Sequence, residues 1–430
     1  MKVLMRVFLV CGGLFVVCVL GVTACVITVD HGDWNFSTLG GHWNSKAERS
    51  ETHPLEFPAG GLLEVKVGSG EVRVRSSNGD SAQVIAHITA YGKNSDEARA
   101  NLERTKLDIG PGESGVRIGG HVENDTDNAP KPKIDLEIVV PAKARLEINT
   151  GSGAIRADGE GFGDSRLESS YGSVEIAHVS GSLVATSSSG KVEAEDVSGE
   201  SCELRSGYGG LSLSKIEVSA LTAKTQSGAI KASGLRGKTL ALESGYGPLD
   251  LSDLEGDLVA KSSSGRIQAE KLRGGSYSLA SSYGQVHVDD VVGKLEARSS
   301  SGNLELTGVE GAVVADTKYG GVRVAGKLNG LDARTSSGSV AISALDGSEL
   351  ASDWTATSSY GRVECDLPSN LAFELVARTG YGKLDLGFEI AVAAGGLNSG
   401  KEVTDKVNGG GKRLEVSTSS GNITVRPRPR

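Results

Sequence analysis

A glycine recurs every 18 or 19 residues through most of this 430-residue chain. The series Gly153, Gly172, Gly190, Gly209, Gly228, Gly247, Gly265, Gly284, Gly302, Gly320 and Gly338 continues, with insertions, through Gly361, Gly382 and Gly421. A fixed period of this kind marks stacked units, each of which is buried only by its neighbours. Every one of these glycines closes a short turn, such as Ser187-Ser188-Ser189-Gly190. Two residues later comes a branched aliphatic (Val174, Val192, Leu211, Ile230), then another small or apolar residue two further on, which is the alternation of a half-buried strand. Seven residues after the glycine stands a further apolar residue (Val179, Val197, Ile216, Leu235), usually followed by a second turn glycine such as Gly181, Gly199 or Gly237. A second alternating stretch then runs back. One coil therefore reads as two short strands and two turns. Stacked at about 4.8 Å, each strand pairs with its equivalent in the next coil, and the product is an all-β, parallel β-solenoid with 18–19 residues per coil. The thirteen repeat glycines from Gly153 to Gly382 imply a rod about 60 Å long. Helices are excluded here, since the region lacks a 3.6-residue period and interior glycine costs about 1 kcal/mol per position.

The interior carries a period of its own. Five positions before the repeat glycine, Leu167, Leu204, Leu242 and Leu279 alternate with Ala185, Ala223, Ala260 and Ala297, large over small as close packing requires. Three positions before it stands Ser or Thr (Ser169, Ser187, Thr225, Ser262, Thr317, Thr335), an inward hydroxyl column able to bond along the stack or to turn backbone. Cys202 and Cys365 also fall on inward positions and read as small buried apolar residues.

Upstream the organisation changes. Lys2 and Arg6 precede an apolar run over residues 7–22, the order of a bacterial export signal. The run ends in Val22-Thr23-Ala24-Cys25, which is similar to a lipoprotein lipobox and makes Cys25 the candidate lipid anchor. Apolarity continuing to Val29 leaves an uncleaved membrane anchor as the other reading of residues 1–29. Residues 30–58 read as a polar spacer whose His31, Asp33, His42 and His53 share no ligand spacing, so no metal is expected. Residues 59–147 read as an N-terminal cap with the first strands of the solenoid. Within it, residues 62–75 look like one irregular coil, and residues 95–106 like a short helix behind a Ser95 cap. Residues 124–133 read as a loop. Solenoid repeats fill residues 148–426, and an Arg/Pro tail occupies 427–430.

The export segment, the helix, the strand ending in Val139-Val140-Pro141, the serial S-S-G and S-Y-G turns and the closing Gly409-Gly410-Gly411 with Thr418-Ser419-Ser420-Gly421-Asn422-Ile423 resemble the bacterial putative-adhesin family of β-strand-repeat envelope proteins, a domain of unknown function. The resemblance spans roughly residues 55–426. It implies an envelope β-solenoid with an adhesive or scaffolding role and no established catalytic residues. It supplies no role for the tyrosine turns or the Arg/Pro tail.

A formal charge of −9 without a basic run excludes nucleic acid as partner. Carboxylate clusters of the kind glycan-cleaving β-helices need are missing: outward positions mix both signs, and His287 with Asp289 reads as a solvated surface pair. No catalytic residue, cofactor or metal is therefore expected. The exceptional feature is tyrosine. Tyr171, Tyr208, Tyr246, Tyr283, Tyr319, Tyr360 and Tyr381, seven of the nine in the chain, immediately precede a repeat glycine, the first six on every second coil. They read either as a track for glycan rings or a partner peptide, or as corner residues whose rings cover the smaller serine coil beside them. Their phase with the Leu/Ala alternation favours the cover. The functional expectation is a non-enzymatic, membrane-tethered protein of the bacterial envelope, exported and exposed on the periplasmic or surface side. It would present its repetitive face to an envelope protein or polysaccharide for adhesion or scaffolding. The alternative is an accessory or regulatory partner of an envelope-stress membrane system. A carbohydrate-active enzyme stands third.

Overall fold

The computed structural model describes residues 45–123, 130–388 and 402–428 in full. Between Arg6 and Thr38 it gives only four backbone strands, paired antiparallel among themselves. The Cys25 side chain and residues 124–129 lie outside the described residues, as does the end of the Arg/Pro tail.

From Val192 to Thr335 each coil is one nearly unbroken strand of 14 or 15 residues, for example Val192–Ser206, Leu211–Thr225 and Ile230–Ser244. Each pairs parallel and in register with the next, as in Val192↔Leu211↔Ile230 and Leu204↔Ala223↔Leu242. Hydrogen bonds thus run along the stack and not around a coil, which defines the expected parallel β-solenoid. The two strands of a coil join through a bend and, three residues on, the expected second turn glycine, which has a positive φ at Gly256, Gly274, Gly293 and Gly311. The bend is a column of left-handed residues six positions after the repeat glycine: His178, Asp196, Lys215, Gly234, Asp253, Lys271, Asp290 and Gly308, with φ of 54–64°. Sequence reasoning missed it because six of the eight are not glycine. Asp is enriched in this region of backbone space, but Lys and His give no such signal.

The inward aliphatics form one continuous core from Leu63 to Val425. Leu242 and Ala260 are fully enclosed, and Tyr277 fills the interior where the coils on either side carry Leu258 and Leu295. The hydroxyl column does both things open to it. Ser244 Oγ accepts from Gly247 N–H of its own coil (2.9 Å) and donates to Gly228 C=O of the coil before (2.9 Å). The same pair of bonds recurs in almost every coil, from Ser169 (to Gly153 and Gly172) to Thr418 (to Gly361 and Gly421). The repeat glycines are needed for close approach, not for an unusual φ: a Cβ at Gly228 would stand 2.0 Å from Gly209 O.

The coils do not stack in chain order at either end. Coil Arg413–Thr418 with Ile423–Pro427 lies between Trp354–Leu367 and the outermost coil, Phe373–Leu386. The outermost coil is closed on one face by Glu402–Val407, antiparallel to Phe373–Arg378. At the other end, the coil formed by Gly115–Val122 and Lys133–Pro141 stacks outside the earlier coil of Leu62–Val67 and Val72–Ser77. Residues 59–147 therefore hold a second coil beside the one read at residues 62–75. Antiparallel strands Thr105–Pro111 and Ala82–Gly92 cover this end, and Ser45–Leu55, in the stretch read as spacer, pairs with Ala82–Gly92. That edge strand carries charged residues on both faces, Lys46 and Glu48 on one and Arg49 and Glu51 on the other, so it lacks the apolar alternation of a strand signal. The helix is Ser95–Arg104, capped not by Ser95 but by Asn94, whose Oδ1 accepts from Glu97 N–H (2.9 Å).

Ser244→Ala is expected to lower stability by about 1–3 kcal/mol, because it leaves a buried N–H and a buried C=O unpaired. Ser244→Thr should stay close to wild type, since Thr225 and Thr335 make the same two bonds. Urea unfolding of both variants checks this.

Candidate functional site

The turn that closes each coil sets what the rod displays. Its first residue, the hydroxyl, points inward, and its glycine is pressed against the coil before. The two residues between them are therefore left on the outer edge. Their backbone is used along the stack: Tyr246 N–H donates to Gln226 C=O (3.0 Å), Tyr283 to Ser263 (3.1 Å) and Tyr360 to Ser336 (3.0 Å). The side chain that follows is free to project, and tyrosine does so. Tyr171, Tyr208, Tyr246, Tyr283, Tyr319 and Tyr360 are 65–70% exposed and Tyr381 85%.

Rings this exposed cover little of the neighbouring coil, so the structure departs from the corner-cover expectation. The phase argument behind that expectation also breaks. The Leu/Ala alternation stops at Ala297, after which the same inward column reads Ala315, Ala333 and Ala356 in successive coils. Tyrosine nonetheless continues on every second coil. The out-of-order coil even extends the rule: Ser420 stands between Tyr360 and Tyr381, so all seven tyrosines alternate in space with the serine turns of Ser189, Ser227, Ser264, Ser301, Ser337 and Ser420. At two coils per step the rings recur about every 9.6 Å over a line of roughly 58 Å. Two open, serine-lined grooves flank this edge. One, of about 470 Å³, is lined by Ser263, Ser282 and Ser300 and by charges of both signs, Lys261 and Arg298 with Glu243 and Asp316. The other, of about 720 Å³, reaches Tyr381 and Arg378 at the end of the rod.

The remaining sequence candidates do not converge on a reactive centre. His287 Nδ1 lies 3.4 Å from Glu305 while Asp289 accepts from Thr307 (2.7 Å), so His287 and Asp289 each turn to the next coil and not to each other. His178 Nδ1 is 2.8 Å from Asp196 in a bend column that carries both signs. Cys202 and Cys365 are buried, and burial pushes both thiols up to about 12. Among the described residues no group of three His, Cys, Asp or Glu is placed to hold a metal ion, and no helix is long and apolar enough to cross a membrane.

Residues 62–253, 182–275 and 251–426 match the Toastrack DUF4097 family, a domain of unknown function. The chain belongs to that family. No curated protein matches it. Solved structures similar to it include a putative cell adhesion protein from Clostridium sporogenes (8% identity, 89% of this chain, 100% of that one, TM-score 0.16). A putative adhesin from Bacteroides fragilis (11%, 70% and 98%, 0.23) and a putative lipid binding protein from Parabacteroides distasonis (13%, 69% and 97%, 0.21) are others. At such scores these likenesses carry no argument about the edge.

Changing Tyr208, Tyr246 and Tyr283 together to Ser should shift stability by no more than about 1 kcal/mol per site, since it recreates turns already present in alternate coils. Leu242→Asp, which places a carboxylate in the closed interior, should cost several kcal/mol. Thermal melts of the two variants distinguish an exposed edge from a structural cover.

Proposed function

We propose that this chain is a non-enzymatic protein of the bacterial envelope, tethered to a membrane through its N-terminal segment, whose rod holds an extended partner along the tyrosine edge. The observation that supports this reading is the continuation of the tyrosine alternation where the core alternation has stopped. A residue kept only to fit the interior has no reason to hold its period once the interior pattern changes. A rod with one repeated aromatic contact suits a long partner better than a compact one, because many weak contacts in line add through a shared tether.

Envelope fractions incubated with the full chain in mild detergent should be retained by the wild type and released by the Tyr208/Tyr246/Tyr283→Ser variant. Equal retention by both would reject the edge as the contact surface. The tether has its own test: Cys25→Ser should abolish incorporation of radiolabelled fatty acid. A wild type that carries no lipid and keeps residues 1–24 would make the segment an uncleaved anchor instead.

A further inference from the structure

We infer that the partner of the tyrosine edge is a neutral, extended polysaccharide, with alternate sugar rings laid on successive tyrosines; this rests on the edge being the contact surface, as proposed above. Charge carries the argument first. The thirteen turns from Tyr171 to Tyr381 place twenty-six residues on the outer edge, from Ser170-Tyr171 through Ser263-Ser264 to Gly380-Tyr381 and Ser419-Ser420. Lys318 is the single charged residue among them, in a chain that is 23% charged. An anionic polymer needs a concentrated basic surface and a basic peptide needs an acidic one; this edge offers neither.

Backbone geometry narrows the choice further. A peptide that adds a strand needs unpaired N–H and C=O groups at a sheet edge. Here the turn amides already donate into the preceding turn, as in Tyr208 to Ser188 (3.1 Å) and Tyr319 to Ser300 (3.1 Å). Recognition must therefore use side chains. The rings stand about 9.6 Å apart with serine between them, so no continuous apolar patch forms for a bilayer surface. What remains is a flat apolar face with a polar tip, repeated along a floor of hydroxyls. That is the complement of a sugar ring, with its C–H face and its equatorial hydroxyls. In a β-linked chain with a two-fold repeat, every second sugar turns the same face to one side, which matches one tyrosine per two coils. The grooves beside the edge offer the intervening sugars hydroxyls and charges of both signs, Lys261 and Arg298 with Glu243 and Asp316 in one and Arg378 with Glu402 in the other, so neither presents a single-sign surface.

The test is native affinity electrophoresis of the detergent-solubilised full chain through gels containing hydroxyethyl cellulose, a neutral β-linked glycan, or carboxymethyl cellulose, its anionic counterpart. The wild type should be retarded by the neutral polymer and less by the anionic one. Tyr208/Tyr246/Tyr283→Ser should weaken the neutral retardation at least tenfold. A phase-shifted variant, Tyr246→Ser with Ser264→Tyr, keeps the number of rings but breaks their spacing and should lose binding comparably. Melting temperatures measured alongside exclude unfolding as the cause. Retardation only by the anionic polymer would overturn the ligand class. So would Tyr-dependent retention of envelope material without retardation in either gel, while leaving the edge as the contact surface. Tyr-dependent self-association in sedimentation would make the partner a second copy of this chain and overturn the proposal. Loss of Tyr-dependence in every assay would overturn both readings together.

Discussion

One buried hydroxyl per coil holds this molecule in register. A serine or threonine oxygen can accept one hydrogen bond and donate another, and in this rod it accepts from the glycine of its own turn and donates to the glycine one coil back. The two bonds fix how far each turn sits above the last. That distance leaves no room for a Cβ, so the repeat position must be glycine: at Gly421 a Cβ would meet Gly361 O at 2.0 Å. An inward hydroxyl and a compressed glycine together leave the intervening pair nowhere to go but outward. The display of the tyrosines is thus a consequence of the same contact that joins the coils.

A stack built this way has two open ends, and unpaired strand edges invite further pairing. Both ends meet the problem similarly. A later segment returns, inserts or overlays a coil out of chain order, and antiparallel strands cover much of what is left. The edge strand Ser45–Leu55 carries Lys46, Glu48, Arg49 and Glu51 with Pro54 near its end, residues that oppose edge-to-edge addition of another chain. The insertion of coil 413–427 has a second effect on the outer edge, because it restores a serine turn between two tyrosine turns that are consecutive in the chain.

Core and edge consequently follow separate rules. Inside, Leu-over-Ala gives way to a run of alanines, with Leu331 and Trp354 supplying bulk in the adjacent inward column. Outside, the aromatic step of two coils does not change. The bend column opposite is different again: His178, Asp196, Lys215, Asp253, Lys271 and Asp290 mix signs in partly exposed pairs such as Lys215 with Glu195 (2.9 Å). Such pairs contribute little stability and offer no single-sign field. The tyrosine edge is where chemistry repeats with a single charge, Lys318, among its twenty-six turn residues.

Much of this was legible in the sequence because a solenoid's contacts are periodic. The 18–19-residue glycine spacing, the aliphatics two and seven positions later and the hydroxyl three positions before report the coil, its inward face and its turn, since each position meets its own equivalent. What the sequence could not show lies where that local rule fails. The left-handed bend is occupied by Asp, Lys and His, whose identities do not announce a positive φ. The strand 45–55 has no apolar alternation, and among the described residues it is an edge paired with Ala82–Gly92 alone. The order of the terminal coils depends on long-range strand pairing, as Trp354–Ser358 with Arg413–Thr418 shows, and no local pattern encodes it. By itself the sequence determined the coil, because the coil is made by residues meeting their own repeats; only the tertiary structure decided that all seven tyrosines alternate along one exposed edge, because that depends on which segments return to close the rod.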